Sequence, residues 1–130
     1  MAKQKGPVLG RWLTFPTLPA SCHLEIERIN QYVITGGSHG RMRRLAELLD
    51  THDEPIIGDR EHYVVNGIYR GVPISLVSTG MGTSSCTIVL PELVEASLSP
   101  EMVILRLGTC GGLRTYQNVG AWVVSMDESY

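Results

Sequence analysis

The sequence predicts an α/β protein with a central mixed or parallel sheet flanked by helices, and three observations support this. The first is the apolar run at 103–107, which is rich in β-branched residues and predicts a buried strand. The second is a β-rich stretch, a glycine loop and a segment of helical spacing in succession at 32–50, which is typical of a parallel α/β unit. The third is that three predicted strands each lead into a glycine-rich loop, at 36–40, 80–82 and 108–112.

Composition and charge narrow the class of protein. A chain of 130 residues with 43% hydrophobic residues is enough for one globular domain with its own core. The net charge of −2 predicts neither nucleic acid nor an anionic membrane as a partner. No apolar run reaches the roughly 18 residues of a membrane span, and the opening residues lack the apolar segment of a secretion signal. Cys22, Cys86 and Cys110 indicate neither a disulfide framework nor a zinc site, so we expect a reducing, cytoplasmic setting.

The first half of the chain contains a lead-in, a strand and a helix. Residues 1–22 carry three prolines and show no periodicity, which predicts an extended lead-in. A short turn or strand is expected at 23–29. The further predictions are a strand at 32–35, a glycine loop at 36–40, a helix at 41–50, a polar turn at 51–54 and the start of a strand at 55–57.

A β-hairpin is expected in the middle of the chain. Residues 63–69 and 72–78 both favour strands, and Arg70-Gly71 between them predicts the turn. Asn66-Gly67 is the stronger turn dipeptide, but a turn there would leave strands of unequal length.

A second helix and a last strand complete the predicted elements. The helix is expected at about 86–96, with Ser84 or Ser85 as its N-cap and a kink or restart at Pro91, which lacks a backbone donor. The strand is expected at 120–125.

Arg106, near the end of the apolar run, is the first candidate for a functional residue. Its guanidinium stays charged, so a buried arginine needs an anion or a carboxylate as a partner. The chain continues through a glycine-rich turn that adds the Thr109 hydroxyl and open backbone amides. Together these groups suit a phosphate at the carboxyl end of a strand. The alternative is that Arg106 pairs with a core carboxylate and that the glycines only form a turn.

Other catalytic and metal-binding motifs are incomplete. Residues 36–40 lack the spacing of a dinucleotide-binding loop, and no P-loop lysine is present. Cys110 has the position of a nucleophile, but without an identifiable base a small buried thiol is the favoured interpretation. No metal-ligand spacing relates the four histidines, which are His23, His39, His52 and His62.

Four separated motifs, in this order, resemble the nucleoside phosphorylase family and in particular its uridine phosphorylase branch. They are Gly36-Gly37-Ser38-His39-Gly40-Arg41-Met42, Gly58-Asp59-Arg60-Glu61, Ser78-Thr79-Gly80-Met81-Gly82 with the following 88–93, and Arg106-Leu107-Gly108-Thr109-Cys110-Gly111-Gly112. The resemblance implies the reversible phosphorolysis of uridine to uracil and ribose 1-phosphate, with no metal or organic cofactor.

The resemblance also implies roles for individual residues. The catalytic residues would be Arg41 and Arg106. The groups holding phosphate would be Gly37, Arg41, Arg106 and Thr109, with Arg60 from a neighbouring subunit. Cys110 and Gly111 would line the nucleoside, and His23 would reach the neighbour's ribose. In some members a monovalent cation lies at the dimer interface, and here Glu61 would bind it, near Met81 and Ser85. The implied assembly is a homo-oligomer built on dimers with shared sites.

The resemblance covers the N-terminal half of the family only. It therefore implies a truncated nucleoside phosphorylase-like fold at residues 23–130, without the residues that read the base and grip the ribose. Ala121 and the tail at 126–130 also depart from the family pattern. Two classes of function remain open. One is a phosphorylase acting on uridine, or alternatively on a purine nucleoside. The other is a catalytically inactive fragment with a binding or subunit-interaction role.

Overall fold

A computed structural model describes residues 23–58 and 60–125, which form a mixed sheet with helices on its two faces. The elements are β1 (Tyr32–Gly36), α1 (His39–Ala46), β2 (Thr51–His52), β3 (Ile56–Ile57), β4 (Tyr63–Tyr69), β5 (Val72–Ser78), α2 (Gly82–Ala96) and β6 (Val103–Arg106). The predicted α/β class is confirmed. The lead-in expected at 1–22 lies outside the described residues. In the two described ranges, no helix is both long and apolar enough to cross a membrane.

The sheet combines parallel and antiparallel pairing. Its strand order is β2-β4-β5-β1-β6, and β3 also pairs with β4. β1 runs parallel to both β5 and β6, whereas β4 runs antiparallel to β2, β3 and β5. The three parallel strands end at Gly36, Ser78 and Arg106, so their carboxyl ends lie along one edge of the sheet. We call this edge the carboxyl edge.

Alternating residues of the central strands fill two apolar cores, one on each face of the sheet. Val64 and Val77 point to the α2 side, whereas their neighbours Val65 and Leu76 point to the α1 side. The buried residues of the α2 side are Leu24, Ile26, Ile29, Val33, Val64, Val77, Val89, Leu93 and Ala96. Those of the α1 side are Met42, Ala46, Tyr63, Val65 and Leu76. The two cores hold the helices against the sheet and so fix where the loops at the carboxyl edge begin.

The predicted hairpin turn between β4 and β5 is confirmed. Arg70 and Gly71 both have positive φ, 49° and 79°, which is the pattern of the turns that match the twist of paired strands. The backbone N–H of Arg70 donates to Asp50 Oδ2 at 2.6 Å, which ties the turn to the segment after α1.

The competing dipeptide Asn66-Gly67 lies inside β4, and the close approach of β2 explains its glycine. A Cβ atom on Gly67 would lie 2.5 Å from the carbonyl oxygen of Thr51, the β2 residue that pairs with Ile68 of β4. The glycine is therefore a packing requirement of the sheet and not a turn signal.

Both helices differ from their predicted bounds. α1 begins two residues early and ends at Ala46, because the chain must turn back for the Asp50 N–H to donate to Ile68 O at 2.8 Å on β4. α2 begins at Gly82 with Met81 as its N-cap, so neither Ser84 nor Ser85 is the N-cap; the Ser85 Oγ donates back to Met81 O at 3.0 Å from within the helix. The restart predicted at Pro91 is wrong, because α2 runs through this residue from Gly82 to Ala96, whereas the predicted kink stays a prediction. Val89 and Leu93 on either side of it are fully buried in one core, and their burial stabilises a single helix.

The strand predictions needed four corrections. The polar turn expected from residue 51 contains β2. As far as the described residues show, the segment at 23–29 forms neither a regular turn nor a strand, and Ile29 there makes a bridge to Ser97. β6 is not buried: among the strands that the structure describes it pairs with β1 alone, at the end of the strand order, and Leu105 is 54% exposed. Residues 120–125 form no strand, and Trp122 there is 90% exposed. An extended segment without a partner strand leaves its backbone groups unpaired, which explains this last difference.

Gly67→Ala should destabilise the chain, by about 1–3 kcal/mol, because the added methyl group overpacks the contact between β4 and the Thr51 backbone. Urea unfolding followed by circular dichroism measures this. Gly40→Ala is the matched control: a Cβ there meets only Ser38 Oγ at 3.9 Å, and alanine favours α1, so stability should stay equal or rise. Equal stability of the two variants would contradict the account of Gly67.

Candidate functional site

The first two glycine loops meet at the carboxyl edge. A Cβ atom on Gly37 would lie 3.1 Å from the Gly80 carbonyl oxygen, so the loop after β1 contacts the loop after β5. The N–H of Thr79 donates to Gly36 O at 2.9 Å and joins the two loops where they leave the sheet. The backbone of the first loop is thus held close to the groups that follow β5.

Arg41 reaches this edge from the first turn of α1. Ser38 is the N-cap of the helix, and its hydroxyl accepts a hydrogen bond from the Arg41 N–H at 3.4 Å. The side chain of Arg41 extends toward β6, where Nη1 donates to the carbonyl oxygen of Leu107 at 3.2 Å. The residue is partly buried, and its guanidinium bridges α1 and the segment after β6.

Arg106 reaches the same place from the end of β6. Its Nη1 donates to Thr79 Oγ1 at 2.6 Å and contacts Cys86 Sγ at 3.5 Å. Its Nη2 lies 3.7 Å from the position that a Cβ on Gly37 would take. Arg41 Nη1 lies at the same distance, 3.7 Å, from the corresponding position on Gly36. The structure therefore brings the two predicted catalytic arginines to neighbouring residues of one loop.

Both guanidinium groups are held by uncharged acceptors. Among the described residues, the ion pairs are His23 with Glu92 and Arg28 with Asp53, so neither Arg41 nor Arg106 pairs with a carboxylate there. The interpretation of Arg106 as the partner of a core carboxylate is accordingly not supported in this part of the chain. Two cations whose charge is not compensated locally create a positive potential at the edge, and this potential favours an anionic ligand.

The predicted site residues after Leu107 lie beyond the end of β6 and are exposed, unlike Gly37 and Arg41. Leu107 N–H donates to Thr35 O at 2.8 Å, and the chain then leaves the sheet. Thr109, Cys110 and Gly111 are exposed, and the hydrogen bonds that join the described residues at the carboxyl edge do not involve them. The prediction that Cys110 is a buried thiol is wrong.

His23 and Arg60 line a cavity of about 420 Å³ beside the edge. The remaining lining residues are His62, Gly80, Ser85 and Ile88. Glu92 on α2 fixes His23 through a short contact to its Nδ1, and the His23 backbone N–H lies 3.0 Å from Glu92 Oε2. His62 Nδ1 lies 2.9 Å from Ser78 O. Gly80 borders both this cavity and the loop that carries Gly37, so the two groups of candidate residues are neighbours.

Two of the residues considered for a monovalent cation, Glu61 and Met81, lie at the surface of the chain. Glu61 is exposed and adopts a positive φ of 58°, and Met81 is 87% exposed. Across 23–58 and 60–125, no three His, Cys, Asp or Glu residues come together as metal ligands. Cys86 and Cys110 are free thiols. The monovalent-cation role of Glu61 stays a prediction.

Sequence reasoning missed two residues of this site, Thr79 and Cys86. Thr79 is fully buried and lies within one of the four motifs, where the resemblance gave the threonine no role. A hydroxyl residue directly ahead of a glycine loop is the signal that points to it. Cys86 gave no signal, because its contact with Arg106 spans 20 positions and crosses from α2 to β6.

The described residues thus form a mixed α/β sheet whose carboxyl edge carries glycine loops and two arginines, neither of them paired with a carboxylate among these residues. Residues 31–129 match the family model described as the phosphorylase superfamily. The chain belongs to this superfamily, which confirms the resemblance drawn from the four motifs.

The relatives include phosphorylases of different nucleosides. The chain is 35% identical over 105 residues to a guanosine phosphorylase of Halorubrum lacusprofundi, covering 79% of this chain and 42% of the relative. It is 32% identical to a uridine phosphorylase of Thermococcus kodakarensis, covering 75% of this chain and 34% of the relative. The chain thus spans less than half the length of these relatives.

Solved structures agree with the sequence relatives. A uridine phosphorylase structure from Phytophthora capsici superposes with a TM-score of 0.64 at 33% identity, over 68% of this chain and 32% of that one. A purine nucleoside phosphorylase from Toxoplasma gondii superposes with a TM-score of 0.64 at 26% identity, over 72% of this chain and 37% of that one. The fold of this chain is therefore similar to part of a uridine phosphorylase and to part of a purine nucleoside phosphorylase.

Alkaline pH should destabilise the chain through Tyr63, the first residue of β4, whose side chain is buried in the core on the α1 side of the sheet. Burial raises the pKa of the Tyr63 phenol above 10.0; nearby Arg43 lowers it less, and Glu47 adds a small increase. Above pH 10 the unfolded chain loses this proton while the folded chain keeps it, so stability falls until the raised pKa is passed. Urea titrations at pH 8, 10 and 11 should show a steeper loss of unfolding free energy for the wild type than for Tyr63→Phe, which has no phenol to titrate. Parallel pH profiles of the two proteins would contradict the raised pKa.

Proposed function

We propose that this protein is a nucleoside phosphorylase that binds phosphate with Arg41 and Arg106 and acts on uridine. The observation that carries the proposal is the pair of guanidinium groups beside Gly36 and Gly37, each held by uncharged acceptors. Membership of the phosphorylase superfamily supports the choice of phosphate as the anion.

The arrangement suits phosphate as a nucleophile. Phosphate in water is a poor nucleophile because its charge is well hydrated. Fixed guanidinium groups and backbone amides replace that hydration and orient one oxygen toward the anomeric carbon of the nucleoside. As the bond to the base breaks, positive charge develops on the sugar. A bound anion beneath it stabilises this oxocarbenium-like transition state more than the ground state.

The other candidate residues extend this site. Gly37 supplies a backbone amide to the phosphate and Thr109 a hydroxyl, while Cys110 and Gly111 line the nucleoside. Arg60 and His23 act on the site of a neighbouring copy in a homo-oligomer built on dimers. The two residues line one cavity beside the carboxyl edge of their own copy. The exposure of the Arg60 side chain, which leaves it accessible to a neighbouring copy, supports this last assignment.

Uridine is the proposed substrate because the Gly36-Gly37-Ser38 loop resembles the uridine branch and a uridine phosphorylase is among the relatives. A purine nucleoside is the second candidate. The observation favouring it is the 35% identity to a guanosine phosphorylase. Comparing uridine and guanosine at equal concentration, with and without phosphate, decides between them.

The protein should release uracil from uridine in the presence of phosphate, and Arg106→Ala should slow the release by roughly 10²–10³-fold, because it removes a preorganised charge from the transition state. Arg106→Lys should recover only part of the loss, since an ammonium lacks the planar fork. Absorbance of the free base follows the reaction.

Arg44→Ala is the matched control, because Arg44 is an exposed arginine of α1 away from the carboxyl edge. It should retain the wild-type rate. Phosphate-independent turnover, or equal rates for Arg106→Ala and the wild type, would contradict the assigned role. Cleavage of neither nucleoside would contradict the proposed activity and favour the binding or subunit-interaction role.

Mixing Arg41→Ala with Arg60→Ala should restore part of the activity that each variant lacks. If each site takes Arg41 from one copy and Arg60 from its neighbour, a mixed dimer contains one site with both arginines intact. Initial rates over a series of mixing ratios measure the recovery. A flat, near-zero rate at every ratio, with dimers present by light scattering, would contradict shared sites.

A further inference from the structure

The side chain of Thr79 occupies the centre of the carboxyl edge, although neither the resemblance nor the proposed function gives it a role. The residue follows β5 and is fully buried. Its Oγ1 lies 2.6 Å from Arg106 Nη1, 3.1 Å from Gly80 O and 3.4 Å from Gly36 O. One hydroxyl therefore contacts the first glycine loop, the second glycine loop and the arginine of β6.

The direction of these hydrogen bonds follows from the groups involved. Carbonyl oxygens only accept, so the single hydroxyl proton of Thr79 is shared between Gly80 O, the nearer acceptor, and Gly36 O. A guanidinium only donates, so the hydroxyl oxygen accepts from Arg106. The hydroxyl thus accepts from the guanidinium and donates to a carbonyl oxygen at the same time. An apolar side chain of the same shape could do neither.

This contact determines which edge of the Arg106 guanidinium meets a ligand. Nη1 carries two protons, and the two acceptors it contacts are Thr79 Oγ1 and Cys86 Sγ at 3.5 Å. The three remaining protons are on Nε and Nη2, and Nη2 is the nitrogen near Gly37. A guanidinium edge with two parallel donors is the one that binds an oxyanion bidentately.

The Thr79 hydroxyl also holds the Arg106 side chain in position. β6 is exposed along its length, and Arg106 has no carboxylate partner among the described residues. A long side chain on such a strand loses conformational freedom when it binds a ligand, which weakens binding. The 2.6 Å hydrogen bond to the buried Thr79 hydroxyl already restricts the Arg106 side chain before a ligand binds, so less conformational freedom is lost on binding.

We propose that Thr79 is a positioning residue that orients Arg106 for phosphate through its hydroxyl. The proposal rests on the proposed function for the identity of the anion. Thr79 acts through Arg106 and has no contact of its own with the reacting atoms. Its substitution should therefore weaken phosphate binding without changing the choice of nucleoside.

The first test is phosphate titration of the full chain, with inorganic phosphate as the probe and calorimetry as the readout. Thr79→Val should bind phosphate at least about tenfold more weakly, because it removes a hydrogen bond to a charged group. Thr79→Ser keeps the hydroxyl and should stay within about threefold of the wild type. Thr87→Val is the matched control, because the hydroxyl of Thr87 is exposed and bonds Thr83 O at 2.9 Å within α2. Thr79→Ala serves in the same comparison should the valine variant not fold.

A second readout separates failure of this inference from failure of the proposed function. The side-chain ¹⁵N resonances of Arg106, assigned with Arg106→Lys, should report restricted guanidinium rotation in the wild type and in Thr79→Ser. In Thr79→Val they should move toward those of the exposed Arg44. Unchanged Arg106 resonances, or unchanged phosphate affinity in a folded Thr79→Val, would overturn the inference. Phosphate binding by none of the proteins would contradict the proposed function, and the Arg106 resonances would then still decide whether Thr79 fixes the guanidinium.

Discussion

The parallel pairing of β1 with both β5 and β6 is the constraint on which the site depends. It aligns Gly36 with Ser78, and Thr35 with Arg106, in adjacent strands. The ladder continues one residue past each outer strand, through Thr79 N–H to Gly36 O at 2.9 Å and Leu107 N–H to Thr35 O at 2.8 Å. The three chain segments therefore leave the sheet side by side. Side chains that are distant in sequence then meet because of backbone hydrogen bonds and not because of any local motif.

The uncharged acceptors at this edge give the arginines a fixed position without neutralising them. A carboxylate partner would also order a guanidinium, but it would cancel the charge that an incoming anion needs. A carbonyl oxygen for Arg41 and a buried hydroxyl for Arg106 order the side chains and leave the positive potential in place. The stability of the fold comes from elsewhere, from the apolar cores on the two faces of the sheet, so the edge is free to hold two like charges close together.

Local signals in the sequence were sufficient for much of the fold. The strand, glycine loop and helix around Gly37, and the turn at Arg70-Gly71, depend on residues within a few positions of one another, and these predictions were confirmed. Features that depend on contacts between residues distant in the sequence could not be predicted from the sequence alone. An apolar run such as β6 looks the same whether or not another strand covers it, and Gly67 resembles a turn residue until β2 is seen beside it. In the candidate site, the two arginines could be predicted from residue type and from the resemblance. Their hydrogen-bond acceptors could not, because these lie 66 positions from Arg41 and 27 positions from Arg106 in the sequence.

The most direct test of the central claim is a crystal structure of the protein grown with inorganic phosphate. The account predicts phosphate at the carboxyl edge, within hydrogen-bonding distance of both the Arg41 and Arg106 guanidinium groups and of the Gly37 backbone amide, with Arg106 Nη1 still bonded to Thr79. Phosphate bound elsewhere, or an Arg106 side chain turned away from Arg41 when phosphate is present at saturating concentration, would contradict it.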